Sequence, residues 1–311
     1  MAFLYALPGA VAEGLIWGLM AIGVYISYKI LDIADLTVDG SICTGACVCA
    51  VLLGLGLPAW VCVLAALLAG ALTGMVTGLL HTRLGIPSIL AGILTQLMLY
   101  SVNLLILSGK SLVPVDPRAN NLLVHMSNNP RSILVMAIVV TATIFVLYEF
   151  FYTQIGLTLK SDGDNPDISR AQGVDVDRNK VLGLAIANGI VAMAGAMLAQ
   201  YKGSANINDG RGAIVIALAA IFIGLSVSLK IKPNFVVSLI GVVSGGIVYY
   251  IVYNFVILLG LKTDYLKMLS AIIVALFLGV PYLKSKYFTK QRDLRPSQII
   301  EQSRKGGNGD A

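Results

Sequence analysis

Few side chains in this 311-residue sequence are equipped to carry chemistry. The two histidines, His81 and His125, stand alone and support no metal site. The four cysteines, Cys43, Cys47, Cys49 and Cys62, all lie in apolar surroundings. Cys43 and Cys47 are spaced to share a helix face, but no partner ligand is near, so small packing residues are favoured over a metal or redox pair. Gly109-Lys110-Ser111 has the look of the end of a phosphate-binding loop. Leu104 stands where the leading glycine is required, and the stretch closes an apolar run. The chain is therefore expected to have no catalytic residues, no metal, and no nucleotide site or cofactor of its own. A membrane-embedded enzyme would need a His/Cys/Asp constellation that is absent from the sequence.

What remains are polar side chains set in apolar runs: Glu13, Thr95, Gln96, Asn103, Asn188 and Asn254, together with Asp32, Asp35 and Asp39. Intramembrane polar residues either bond helices to one another or line a path for a polar solute. Both readings stand for the amides. The candidate path residues are Asp35, Asp39, Thr95, Gln96, Asn103 and Asn188. Asp32, Asp35 and Asp39 are spaced to fall on one face of a helix. They are expected near the cytoplasmic side of the path, since exposing ionised carboxylates to hydrocarbon costs roughly several kcal/mol.

The elements that must position these residues are set by composition. The chain is 57% apolar and 12% charged, with a mean hydropathy of +0.85, whereas soluble domains carry about 25% charged residues. This describes an integral membrane protein, an all-α polytopic bundle of about eight to ten spans at ~20 residues each. Apolar spans are expected at about 9–28, 58–80, 89–108, 132–152, 181–201, 212–229, 234–260 and 265–283. A piece at about 41–54 is too short for a comfortable crossing; it is either tilted, or bent inside the protein together with 29–40. Non-helical backbone at that depth is tolerated only when buried or lining a cavity. Gly70, Gly74 and Gly78, and likewise Gly241 and Gly245, have the small-xxx-small spacing of close helix contacts. Residues 1–285 form one transmembrane domain, and 286–311 a basic tail. The net charge of +6 concentrates at span ends and in that tail, so no nucleic-acid partner is implied. No basic residue precedes Lys29, and no cleaved signal is read.

One polar stretch, residues 156–173, carries its own start and stop signals. Asn165 suits an N-cap, Pro166 the first helical position and Asp167 the first turn. Gly173 suits the residue past the helix end. Ile168 and Ala171 share a face. Such a helix is too short to cross a bilayer; it is either a lever presented to something outside the membrane or an incidental turn in a solvated loop. The basic tail, with Lys284, Lys286, Lys290, Arg292, Arg295, Arg304 and Lys305, places the C-terminus in the cytoplasm. Counting back, the capped stretch, Lys230-Ile-Lys232 and the turn bearing Arg83 fall on the same side, and 109–131 falls outside. The N-terminus is outside if 29–54 crosses and inside if it does not.

Residues 156–195 resemble the permease subunits of bacterial ABC importers, in the family that includes branched-chain amino acid and ribose permeases. Gly156, Gly163, Asn165, Pro166, Gly173, Val174, Lys180 and Gly195 carry the resemblance. The segment from Gly14 to Ser41, ending Asp35-Leu-Thr-Val-Asp-Gly-Ser41, is similar to the first segment of that family, in the subgroup associated with aromatic amino acids. Lys160-Ser161-Asp162 and Arg170 depart from the pattern and suggest a surface tuned to one partner. The resemblance implies a type II-like importer fold in a bacterial cytoplasmic (inner) membrane. It implies a coupling helix at about 164–173 that docks on a separate cytoplasmic ATPase, which binds ATP and Mg. The coupling residues would be Gly163, Asp164, Asn165, Pro166, Asp167, Ile168, Arg170, Ala171 and Gly173. It further implies an extracytoplasmic solute-binding lipoprotein, a homodimer with the pathway between two copies, surrounding lipid, and an amino acid as solute. The rival reading is an ATPase-independent secondary carrier or channel for a small polar solute.

Overall fold

The computed structural model describes residues 2–116, 122–126, 129–228 and 234–258, and beyond them residues 268, 271, 272, 275 and 279. The expected span at 265–283 and the basic tail fall almost wholly outside the described residues. In lipid every backbone N–H and C=O must find a partner inside the chain, so helices do the crossing. They are α1 (Ala2–Tyr25), continued by a π-helical turn (Ile26–Ile30), α2 (Val38–Gly54), α3 (Ala59–Thr82), α4 (Ser88–Ile106), α5 (Asn129–Tyr152), α6 (Gln154–Asp164), α7 (Pro166–Ala171), α8 (Val176–Lys202), α9 (Ala213–Ser228) and α10 (Phe235–Leu258). Pro58 and Pro87 stand at the N-caps of α3 and α4, where the missing N–H costs nothing. Among the described residues six helices are long and apolar enough to cross a membrane, and α2 and α9 are shorter apolar helices. The protein is a multi-pass helical membrane protein.

Helix α8 is the axis. Nearly every residue from Gly183 to Tyr201 is buried, with α1, α2 and α3 packed around it, while α9 and α10 pack on α1. Apolar burial drives no association in lipid, so close backbone approach and dispersion must do it. Gly74 faces the Leu184 carbonyl, and a Cβ there would stand 2.9 Å from the Ala185 Cα. At Gly78 it would stand 2.8 Å from the Val181 Cα, and Gly70 faces the Asn188 carbonyl. Gly241 and Gly245 occupy the same role between α10 and α9, against Gly224 and Ala220.

The bundle has two ends. At one lie the π-helical turn, α6, α7 and the start of α8. At the other, β1 (Leu112–Pro114) pairs antiparallel with β2 (Ser204–Asn206), Leu112 opposite Asn206. This ribbon ties the two connections that the sequence presents as plain polar loops. The 153–164 stretch is likewise a helix, α6, not loop.

Between Ile30 and Val38 the helix breaks. Asp32 takes a positive φ of 54° and turns the chain back, and α2 resumes partway along α8. The bent alternative for 29–54 therefore describes the fold. The break is protected as membrane depth requires: the Ile33 N–H donates to the Ser27 carbonyl at 2.9 Å, and the Thr37 N–H to Asp35 Oδ1 at 2.9 Å. The expectation that Asp32, Asp35 and Asp39 share one helix face is overturned. Asp32 is exposed, Asp35 is buried in the break, and Asp39 lies in the first turn of α2.

Candidate functional site

Three consecutive helices at the α7 end start on side-chain caps. Thr153 Oγ1 accepts from the Gly156 N–H at 3.3 Å and starts α6. Asn165 is extended, and its Oδ1 accepts from the N–H groups of Asp167 (3.1 Å) and Ile168 (3.2 Å). Asp175 Oδ1 accepts from the Arg178 N–H at 3.1 Å and starts α8. Gly173 closes α7 with a φ of 81°, a conformation that costs any residue with a Cβ. The caps fix α7 as a rigid corner between α6 and α8.

One side of this corner is anchored. Ser169 is buried, with its hydroxyl 3.1 Å from that of Ser161. The buried Asp162 accepts from Asn179 Nδ2 at 2.6 Å, and Gly163 lies on the Ile30 carbonyl. Gly163 thus sets the approach of α6 to the π-helical turn. The other side is free. Asp164, Asp167, Ile168, Arg170, Ala171 and Gly173 are exposed, Ile168 at 54%. Arg170 lies 3.9 Å from Asp167 and 3.6 Å from Asp177; exposed pairs of this kind contribute about 0–1 kcal/mol. An apolar residue held out on a rigid, charge-rimmed corner is suited to docking.

At mid-length of α8 the polar residues meet one another. Asn188 Nδ2 donates to Asp35 Oδ2 at 2.6 Å, and Ser41 Oγ donates to Asn188 Oδ1 at 2.6 Å. Ser41 and Thr73 hydroxyls lie 2.7 Å apart, as do those of Thr37 and Thr77. All of these residues are buried. Asp35 and Asn188 thus bind the helix break to α3 and α8. Thr95 bonds back to the Ala91 carbonyl at 3.0 Å. Asn188→Leu is expected to cost roughly 2–3 kcal/mol, because the buried Asp35 carboxylate keeps only the Thr37 N–H and Ser41 keeps only Thr73. Thermal unfolding in detergent measures it, and an unchanged midpoint would refute it.

Asp39, Gln96 and Asn103 come together elsewhere. They line a cavity of about 260 Å³ between α2, α4 and the 207–212 turn, with Tyr100 and Arg211. Asp39 caps α9: its oxygens accept from the N–H groups of Gly212 (2.8 Å) and Ile214 (2.9 Å). Cys43, on the same wall, donates to the Ile207 carbonyl at 3.3 Å and accepts from the Gly210 N–H at 3.1 Å. Arg211 was not among the sequence candidates. It sits in a polar turn, and only the fold of that turn back onto Asp39 gives it significance. Beyond Arg211 a second cavity, about 380 Å³, is walled by Trp17, Tyr250 and Tyr253, with Lys202 and Asp209 paired at 3.6 Å.

With this geometry in hand, comparisons with known proteins are specific. The tyrosine transport system permease protein of Clostridioides difficile strain R20291 is 36% identical over 268 residues, covering 86% of this chain and 88% of that protein. The ribose import permease protein RbsC of Escherichia coli K12 is 25% identical over 247 residues, covering 78% of this chain and 75% of that protein. The autoinducer 2 import system permease protein LsrC of Yersinia enterocolitica is 28% identical over 193 residues, covering 60% and 52%. No solved structure matches the chain. A family described as the permease component of branched-chain amino acid transport systems matches residues 9–278, and together with the 36% identity to the tyrosine permease this places the helical bundle: this chain belongs to that family of ABC importer permeases.

Proposed function

We propose that this chain forms the pathway for an amino acid, an aromatic one by analogy with the tyrosine permease it is similar to, and works as a homodimer with a separate cytoplasmic ATPase and an extracytoplasmic solute-binding protein. ATP and Mg bind the ATPase, not this chain. The observation that carries the reading is α7: six residues, capped at both ends, anchored through Ser169 and presenting Ile168 and Ala171 outward. A lever of this kind passes displacement directly into α8, whose first turn begins a few residues later. The α7 end faces the cytoplasm. Lys29, Arg83, Lys160, Arg170, Arg178 and Lys180 gather there, as the positive-inside rule expects of a cytoplasmic side.

The test is a cysteine at position 168, cross-linked to the purified ATPase with and without nucleotide. A cross-link whose yield changes with nucleotide is expected. If no ATPase is captured and uptake proceeds without ATP, the chain is a carrier or channel. Asn165→Ala should weaken coupling more gently, since losing an N-cap costs about 1 kcal/mol. Uptake is expected to fall by several-fold and to recover with Asn165→Asp; equal loss in both variants would count against the cap.

A further inference from the structure

The cavity between α2, α4 and the 207–212 turn has a polar pattern that the family assignment does not explain. Asn103 is 1% exposed and lines it, yet its Oδ1 has no hydrogen-bond partner. Its Nδ2 reaches only the Gly40 carbonyl, at 3.5 Å, beyond the usual range of a good N–H···O bond. A buried amide oxygen left unpaired costs about 1–3 kcal/mol, and a turn of the Asn103 amide toward the cavity it lines would bring that oxygen to a ligand donor. Asp39 borders the same space. Its carboxylate accepts two backbone N–H groups at the start of α9, and a carboxylate has lone pairs for about four donors. Opposite in charge, Arg211 lines the cavity, is exposed, and among the described residues takes part in no ion pair.

Two acceptors and one guanidinium in one small space select a particular ligand class. A metal cation is disfavoured by Arg211, and a simple anion by the Asp39 carboxylate and the Asn103 oxygen. A zwitterion satisfies all three: an ammonium donates to Asn103 and Asp39, and a carboxylate takes the fork of Arg211. The volume, about 260 Å³, lies just below the roughly 300–1,000 Å³ of drug-sized pockets and suits a molecule of one amino acid. Tyr100 and Leu97 supply an apolar wall for its side chain, and Arg211 also borders the aromatic cavity of Trp17, Tyr250 and Tyr253.

We propose that this cavity is a resting site for a free zwitterionic α-amino acid within the permease, with Asn103 and Asp39 reading the ammonium and Arg211 the carboxylate. The proposal rests on the importer reading for its choice of solute, but it is a statement about equilibrium binding to this chain alone. It is tested on the full-length protein in lipid nanodiscs, without ATPase or binding protein, by dialysis against an equimolar mixture of the twenty L-amino acids. Mass spectrometry identifies what is retained above empty nanodiscs. The retained amino acid is then competed with its decarboxylated amine and its deaminated acid. Wild type is expected to prefer the intact zwitterion at least ten-fold over either. R211Q, at an exposed position that leaves packing undisturbed, should lose the preference over the amine and keep that over the acid. R211K should restore part of it. N103L should lose the preference over the acid, with its melting temperature measured alongside. Retention of no amino acid by wild type, or unchanged selectivity in R211Q, overturns the site. ATP-driven uptake in proteoliposomes is scored separately: uptake without equilibrium retention overturns only the site, and retention without uptake overturns only the importer reading.

Discussion

Replacing Ala171 with Asp is expected to abolish ATP-driven uptake while leaving the chain folded. Ala171 is exposed at the end of α7, so in the isolated chain the new carboxylate stays in water. The folding cost is confined to its contact with the helix C-terminus, about 0.3–1 kcal/mol. Docked in an ATPase groove beside Ile168, the same carboxylate would be buried without a partner. Breaking buried pairs costs about 3–5 kcal/mol, and each 1.4 kcal/mol is tenfold in occupancy. Uptake and transport-stimulated ATP hydrolysis should both fall by roughly two to three orders of magnitude. Solute binding to the external binding protein should not change, because that site is on another polypeptide across the membrane. Asp167→Ala sets the scale. Its side chain is 90% exposed and 3.9 Å from Arg170, and losing a contact worth about 0–1 kcal/mol should change uptake by less than about five-fold. Normal uptake by the Ala171→Asp protein would remove α7 from the coupling path.

The second large effect concerns assembly of the bundle itself. Gly74→Leu should leave little folded protein. The added Cβ would meet the Leu184 carbonyl and lie 2.9 Å from the Ala185 Cα before the rest of the side chain is counted. Overpacking a core ordinarily costs about 1–3 kcal/mol because neighbouring side chains can shift. Here the obstacle is the backbone of α8, whose buried run leaves it nowhere to move. The two helices must separate, and in lipid their close contact has no hydrophobic substitute. Detergent-extracted yield and melting temperature measure the effect. Gly54→Leu is the control: a Cβ at that exposed position meets nothing within 4 Å, so yield and melting temperature should match the wild type. Wild-type behaviour of Gly74→Leu would mean that the α3–α8 contact does not hold the bundle.

Sequence alone determines what is written within a turn or a span. The apolar runs, read against ~20 residues per crossing, mark the long helices. Asn165, Pro166 and Gly173 mark α7, because N-caps, first-turn prolines and left-handed closures act over one to four residues. The glycine row on α3 marks a contact face, though not its partner. Tertiary structure decides everything that depends on which helices meet. Asp35 and Asn188 are 153 positions apart and bonded to each other, whereas of the other candidate path residues Asp39, Gln96 and Asn103 border a cavity and Thr95 bonds back within its own helix. Nothing in the spacing of Asp32, Asp35 and Asp39 announces that the helix breaks between them; a buried network on α3 and α8 supplies the partners that make the break tolerable at membrane depth. Helix α6 hides for a similar reason. Its glycines, Gly156 and Gly163, lie against Phe151 and Ile30, where no larger residue fits, and that close approach is not written in the local sequence. Arg211 stays an ordinary turn residue until α9 starts on Asp39 and the 207–212 turn folds back onto α2, since a charge acquires a binding role only from the groups that surround it in space.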